Sequence, residues 1–525
     1  MKKHPKKKTY NNFKDINLNR FLGYLENKKI PMLKKARQIL GAVVFLLITF
    51  LFLDFTGTLH PLCGWLAKVQ FLPAVLSLNL AVILALLLLT LLFGRLYCSV
   101  ICPLGILQDL IARMGRKVKK NRYTYSRPKN WLRYTLLAIF ILSLFMGLGA
   151  VVALLAPYSS YGRIATHLLA PLWQWGNNLL ALIAEHYESY AFYSVEVWIK
   201  SWVSLAVAAA TLIGVGILAW RNGRTYCNTL CPVGTFLGFI ARFSLLKPVI
   251  DTSKCNTCGR CARNCKAACI DSKNHQIDYS RCVACMNCIN TCTKGAISYR
   301  KPSAQPQSSL SENREKVDTA RRAFLAGTAT LAATSVVHAQ EKTTDGGLAI
   351  IADKKIPHRA TPIVPAGAKG VKHFTDHCTA CQLCISVCPN EVLRPSERLE
   401  HLMQPEMSYE RGYCRPECTR CSEVCPAGAI LPINVAEKSS TRIGHAVWVK
   451  KNCLPVTDEV SCGNCARHCP AGAIQMVEQA GKPHAPKIPV VNTERCIGCG
   501  ACENLCPSRP FSAIYVEGHL SHSIN

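Results

Sequence analysis

Acidic side chains are scarce in the first two thirds of this chain. Residues 1–340 hold 13 Asp+Glu against 42 Lys+Arg, whereas residues 341–525 hold 18 against 20. Almost all of the net charge of +31 therefore lies in the first part. There it clusters beside hydrophobic runs, the pattern of loops on the cytoplasmic side of membrane segments rather than of a groove that tracks phosphates. That excludes nucleic acid as a partner. Also missing are a C-x-x-C-H for attaching haem, a phosphate-binding glycine loop and an H-E-x-x-H pair. No Ser/His/Asp or Cys/His arrangement stands apart from the grouped cysteines, so nothing marks a substrate-converting site.

What the chain has in abundance is cysteine. Thirty cysteines in 525 residues are too many for a cytosolic enzyme core. They are too regularly grouped for a disulfide scaffold, which usually serves much shorter chains. Regular groups of four point to metal clusters, and the length leaves room for three or more domains.

Residues 1–38 form a basic N-terminus that includes Lys2, Lys3, Lys6, Lys7 and Lys8. Four apolar runs follow within 39–250, each near the roughly 20 residues that cross a bilayer as a helix. They fall at about Ile39–Phe55, Leu72–Tyr97, Tyr134–Ala156 and Ser201–Trp220. Residues 111–134 carry nine Lys/Arg and no acid, while 158–199 carry Arg163 alone against Glu185, Glu188 and Glu196. The positive-inside rule then predicts four crossings, with the N-terminus and residues 221–318 inside. The apolar patch His167–Ile183 is expected as an interfacial helix on the outer side.

This region contains an internal repeat. Arg95, Tyr97, Cys98, Cys102-Pro103 and Gly105 recur as Arg224, Tyr226, Cys227, Cys231-Pro232 and Gly234. Two hairpins of the same orientation would be related by an axis along the membrane normal. The pairs Cys98/Cys102 and Cys227/Cys231 would then meet as a shared thiolate site for iron–sulfur or zinc. The alternative is structural thiols at helix ends. Cys63, in the outer loop, reads as an incidental thiol.

Residues 251–300 carry Cys255, Cys258, Cys261, Cys265 and then Cys282, Cys285, Cys288, Cys292, each set spaced C-x2-C-x2-C-x3-C. Three cysteines at i, i+3 and i+6 wrap three corners of a cubane, and the fourth ligates the other cluster. One [4Fe–4S] cluster is therefore assigned to Cys255, Cys258, Cys261 and Cys292, its partner to Cys282, Cys285, Cys288 and Cys265. Zinc sites usually use two separated C-x2-C pairs instead. Lys266 and Thr293 stand where proline usually follows the fourth cysteine, and Cys269 is extra, read as a bystander.

Residues 301–318 are a polar, turn-rich linker. At 319–340, Arg321-Arg322, Phe324-Leu325, a short apolar run and Ala339 read as an internal twin-arginine export signal or anchor. The plain alternative is an apolar helix behind a basic pair. Residues 341–525 then hold four more sets. These are Cys378, Cys381, Cys384, Cys388; Cys414, Cys418, Cys421, Cys425; Cys453, Cys462, Cys465, Cys469; and Cys496, Cys499, Cys502, Cys506. Sixteen ligands make four [4Fe–4S] clusters, six in all. Clusters are built in a reducing compartment, so such a domain must fold before export.

The expected architecture is an α-helical four-span membrane domain, an α+β bacterial-type ferredoxin domain with two clusters, and an α+β four-cluster polyferredoxin domain. Residues 1–300 resemble the membrane ferredoxin-type subunit (NapH) of the quinol dehydrogenase that feeds periplasmic nitrate reductase. The resemblance rests on four spans, two C-x3-C-P motifs and a two-cluster tail. Residues 319–525 are similar to its exported partner (NapG) and to the methylamine-utilisation ferredoxin. These are usually two separate proteins, so the fusion is a departure. The resemblance implies a bacterial inner-membrane protein that oxidises quinol from the quinone pool. Its electrons would pass through a periplasmic domain to a cytochrome or terminal reductase. By resemblance to other four-cluster electron-transfer subunits, the first exported set is expected to pair with the fourth and the second with the third. The first half further resembles membrane polyferredoxins that support nitrous oxide reductase or cytochrome oxidase assembly. Two rival readings follow, a donor for maturation of a metalloenzyme and a relay fed by a cytosolic donor. His60 and His167, both expected outside, are candidates for quinol contacts.

Overall fold

The computed structural model describes residues 30–119, 123–189, 191–301, 344–345, 349–350, 353–481 and 484–524. Residues 302–318 of the expected linker (301–318) and the twin-arginine segment (319–340) lie outside the described residues. The remainder forms a helical unit with an iron–sulfur-type unit packed on each end.

Seven helices organise the helical unit: α1 (Ile30–Leu53), α2 (Leu80–Phe93), α3 (Pro103–Lys119), α4 (Asn130–Phe145), α5 (Pro157–Ile164), α6 (Trp202–Asn222) and α7 (Pro232–Ile240). Two of them, α1 over Leu33–Leu53 and α6, are long and apolar enough to cross a membrane. The other two apolar runs are interrupted. In the second, Asn79 accepts from the Val82 amide and starts a new helix after the short Phe71–Leu76 helix. In the third, Gly147 takes a φ of +69° and separates α4 from Gly149–Leu155. At 1.5 Å per residue, the 14 residues of α2 and the 16 of α4 fall short of a hydrocarbon core of about 30 Å. The expectation of four spans is thus met in length by two helices among the described residues. The patch after His167 is helical, with one π turn (Ala165–Leu169) leading into Ala170–His186.

The unit at 247–301 pairs Lys247–Ile250 antiparallel with Ile297–Arg300, and Ile270–Asp271 with Gln276–Ile277. It docks where α6 ends. Gly223, at φ +68°, caps α6, and the Lys266 carbonyl packs where a side chain on Gly223 would stand. Asp109 of α3 gathers Arg224 at 2.7 Å, Lys266 at 3.2 Å and Arg37 of α1 at 3.6 Å, tying three segments together.

Beyond residue 340 the described residues form four antiparallel ladders, Thr344–Asp345 with Ala349–Ile350, Leu393–Pro395 with Pro405–Met407, Ile474–Val477 with Ile488–Val491, and Thr441–Trp448 with Ile514–Ile524. The C-terminal unit meets the opposite ends of α1 and α6. Ser201, which also caps α6, donates to Glu397 at 2.9 Å, and Trp198 donates to Glu391. Gly162 of α5 leaves no room for a Cβ against the Cys381 carbonyl.

Candidate iron–sulfur sites

In the regularly spaced cysteine sets, the residues on either side of the second cysteine adopt left-handed backbone. They are Thr257 and Gly259, Ala284 and Met286, Ala380 and Gln382, and Gly498 and Gly500, with φ between +47° and +81°. Left-handed backbone is costly for residues other than glycine, which argues for a strong local requirement. Such turns make a concave nest that aims amide N–H groups at an anionic guest. The two widely spaced sets, opening at Cys414 and Cys453, lack this pair of turns around their second cysteines.

The sets exchange their fourth cysteines. One cavity is lined by Cys453, Cys462, Cys465 and Cys506, and a second by Cys414, Cys418, Cys421 and Cys388. A third is lined by Cys265, Cys282, Cys285 and Cys288, with Cys269 in its wall. Their empty volumes are about 390, 440 and 400 Å³. Cys425 lies beside Cys378, Cys381 and Cys384, and Cys469 beside Cys496, Cys499 and Cys502.

The expected pairing of first set with fourth and second with third is therefore corrected: first pairs with second, third with fourth. The reason is chain geometry. The helix after each third cysteine is five residues or fewer, so the fourth cysteine reaches only the adjacent set. The two pairs meet where the Cys414 amide donates to the Cys499 carbonyl at 2.9 Å. The Tyr409 ring lies at this junction, with its hydroxyl on the Gly498 carbonyl at 2.7 Å. For the unit at 247–301, the third cavity joins Cys265 to Cys282, Cys285 and Cys288 as the spacing predicts; Cys255, Cys258 and Cys261 also group together. Cys269 stands 3.5 Å from Cys265, sulfur to sulfur.

The donor chemistry fits clusters. Burial pushes the thiols of Cys381, Cys465 and Cys499 up to about 12, 11 and 12. They would stay protonated at neutral pH without a cationic guest to hold them as thiolates. Among the described residues, no three His, Cys, Asp or Glu side chains converge on a single metal ion. Four thiols around one cavity, three of them from a single short segment, suit the corners of a cubane.

The four repeat cysteines also come together. Cys98, Cys102, Cys227 and Cys231 are all at most 4% exposed and lie within electrostatic reach of one another. Cys63 lies apart from these groups, half-buried against the apolar core. Of the two histidines, His167 is buried and donates from Nε2 to Gln382 Oε1 at 2.8 Å, between two cysteines of the first C-terminal set. It fastens one unit to the other, a role that its expectation as a candidate quinol contact did not include. His60 is 7% exposed and donates from Nδ1 to Asp54 at 3.0 Å, and its Nε2 is buried without a hydrogen-bond partner. Asp54 also accepts the amides of Thr56, Gly57 and Leu59 and the Thr56 hydroxyl.

Sequence reading passed over three charged groups at these sites. Arg95 and Arg224 stand three residues before the first cysteine of each repeat, and that repetition was the available signal. Lys438 donates to Cys414 Sγ at 3.2 Å and to the carbonyls of Arg415 and Cys418; nothing in its local sequence marks it.

Comparisons with known proteins agree with this donor set. Residues 77–121 and 202–250 match one 4Fe–4S binding-domain family, and residues 275–298 match another. Residues 377–429 and 460–509 each match a 4Fe–4S dicluster domain, the same two halves that exchange cysteines. YccM of Escherichia coli (strain K12) is 27% identical over 202 residues, which are 37% of this chain and 47% of that protein. The chain thus spans about half the length of that relative. The ferredoxin-type protein NapF of the same organism is 28% identical over 30% of this chain and 87% of its own length. The ferredoxin-type protein NapG of that organism is 31% identical over 27% of this chain and 64% of its own. No solved structure matches. The chain is an iron–sulfur electron-transfer protein with several 4Fe–4S domains, homologous to these ferredoxin-type proteins.

Proposed function

We propose that this chain is a membrane-bound relay that takes electrons from quinol and passes them through the C-terminal clusters to a soluble acceptor. In bacteria that acceptor would be a periplasmic cytochrome or reductase, with residues 1–38 and 221–318 on the cytoplasmic side. The observation that carries the reading is the docking of the Cys381 site on α5, at the ends of the long apolar helices. From there the sites continue through the Cys414–Cys499 contact to the cavity of Cys453, Cys462, Cys465 and Cys506. Six [4Fe–4S] clusters would fill the ferredoxin-type sites.

Multi-pass insertion is supported by apolar side chains turned outward on all four runs. Examples are Leu46 and Phe50 on α1, Leu84 and Leu88 on α2, Leu142 and Phe145 on α4, and Ile213 and Ile217 on α6. Large exposed apolar surfaces need an apolar medium, and the shorter helices can be completed by the segments that flank them.

Quinol oxidation releases protons as well as electrons. Burial holds the His60 imidazole below its ordinary value despite the pull of Asp54, so the ring is neutral. With Nδ1–H on Asp54, Nε2 is the nitrogen left to take up a proton, and the Leu51 carbonyl nearby favours the protonated ring. His60 with Asp54 is the proton acceptor in this reading.

The test is anaerobic mixing of the detergent-solubilised holoprotein with a reduced menaquinone analogue, followed by EPR. Rapid reduction that a quinone-site inhibitor blocks, and that His60→Ala slows without changing reduction by dithionite, is expected. Clusters that dithionite reduces and quinol does not would overturn the quinol reading in favour of a maturation donor.

A further inference from the structure

Four arginines, Arg95, Arg133, Arg163 and Arg224, are at most 1% exposed, yet only Arg224 has a carboxylate within ion-pair distance among the described residues. Each has a guanidinium nitrogen that is buried without a partner. Buried charge left unpaired is costly, so these positive groups need a buried anion. Two of them, Arg95 and Arg224, face the thiols of the repeat. Arg95 reaches Cys98 Sγ at 3.9 Å and donates to the Cys227 carbonyl at 3.0 Å, and Arg224 donates back to the Cys98 carbonyl at 2.6 Å. Gln108 points Nε2 at Cys227 Sγ at 3.2 Å, and the Gly234 amide lies 3.3 Å from Cys231 Sγ. Donors thus reach the sulfurs of Cys98, Cys227 and Cys231, as they would around thiolates bound to iron.

The same residues touch both neighbouring sites. On one end, Arg95 donates to the Ser280 carbonyl at 3.1 Å, and Arg133 joins it there at 3.3 Å, two residues from Cys282. Asn228 donates to the Ala267 carbonyl at 3.2 Å, two residues from Cys265. On the other end, Tyr226 follows Arg224 in the repeat and meets Ser160 of α5. Arg163 is within electrostatic reach of both Tyr226 and Cys381, while Gly162 packs directly on the Cys381 carbonyl.

We infer that Cys98, Cys102, Cys227 and Cys231 hold one shared anionic iron–sulfur cluster that joins the 247–301 unit electrically to the C-terminal unit. Cys265, Cys282, Cys285 and Cys288 would hold the cluster on one side and Cys378, Cys381, Cys384 and Cys425 that on the other, and with iron bound single electrons would pass between them through the core site. Each step oxidises one cluster and reduces the next, and no bond is made or broken. The initial reductant is a low-potential ferredoxin-class protein on the 247–301 side. This gives the 247–301 pair a purpose that quinol entry at the far end does not.

The test begins with iron. The anaerobically purified full chain is compared with Cys98→Ser/Cys231→Ser, which is expected to carry about four fewer iron atoms per chain while the other EPR signals persist. Next, inverted membrane vesicles holding ferricytochrome c receive reduced ferredoxin outside. The unaltered chain is expected to reduce the enclosed cytochrome, the double variant to lose that rate, and permeabilised vesicles to show equal rates. Arg95→Met, which keeps every ligand, should shift the midpoint of the core signal and slow the same transfer, so the test survives misfolding of the cysteine variant. Equal iron in both chains, or an undiminished rate across intact vesicles, overturns the inference. Failure of quinol to reduce the protein would leave these results untouched, because the donor here is ferredoxin.

Discussion

The Arg95 guanidinium donates to the Cys227 carbonyl at 3.0 Å, although the two residues belong to different copies of the repeat. Arg224 repays the contact on Cys98 at 2.6 Å. Crossed contacts of this kind hold the two copies as one unit and place two positive charges beside the four thiols. At an effective dielectric near 20, one such charge about 5 Å away is worth about 3 kcal/mol, on the order of 100 mV for a one-electron couple. Arg95→Met and Arg224→Met should each lower the midpoint of the core signal by that order, and Arg95→Lys by less. Potentiometric EPR titration measures it.

Exchange of fourth cysteines predicts which cluster each variant damages. Cys425→Ser should impair the cluster of Cys378, Cys381 and Cys384, and Cys388→Ser that of Cys414, Cys418 and Cys421. EPR of each variant against Cys381→Ser and Cys421→Ser checks it. Cys425→Ser should match the first and Cys388→Ser the second.

Lys438 brings a buried ammonium to Cys414. Lys438→Met should make that one cluster harder to reduce, again on the order of 100 mV, and leave the other C-terminal midpoints in place. A uniform shift of all midpoints would point instead to general loosening of the unit.

His522 supplies a pH dependence. Burial, together with His519, holds its imidazole down at about 4, against about 6.5 in an unfolded chain. The folded state therefore binds fewer protons, and the contribution is complete above pH 6.5. It is lost progressively as pH falls from there toward 4, by about 1–3 kcal/mol in total. Thermal unfolding of the holoprotein at pH 7 and pH 5 should show a smaller loss in His522→Leu than in the unaltered chain.

Cluster sites were the most legible feature because their ligand spacing is local. Cys255, Cys258 and Cys261 need only two left-handed residues between them to wrap a cubane, and Thr257 and Gly259 supply these. Pairing across sets was not legible, since it depends on how far Cys388 and Cys425 travel in the folded chain. Composition located the apolar runs but not their breaks, although Asn79 and Gly147 carried ordinary turn and cap signals. The role of His167 was hidden for a different reason: its partner Gln382 is 215 residues away. Arg95 and Arg224 were visible as repeated residues, but only packing shows that each serves the other copy.

The most direct measurement is rapid-freeze EPR of the full chain and its Cys381→Ser variant after anaerobic mixing with a reduced menaquinone analogue. Prompt reduction of the C-terminal clusters is expected in the unaltered chain. In the variant, reduction by quinol should be lost while dithionite still reduces the remaining clusters. Equal quinol-driven reduction in the two proteins, or none in either, would contradict entry through the Cys381 cluster.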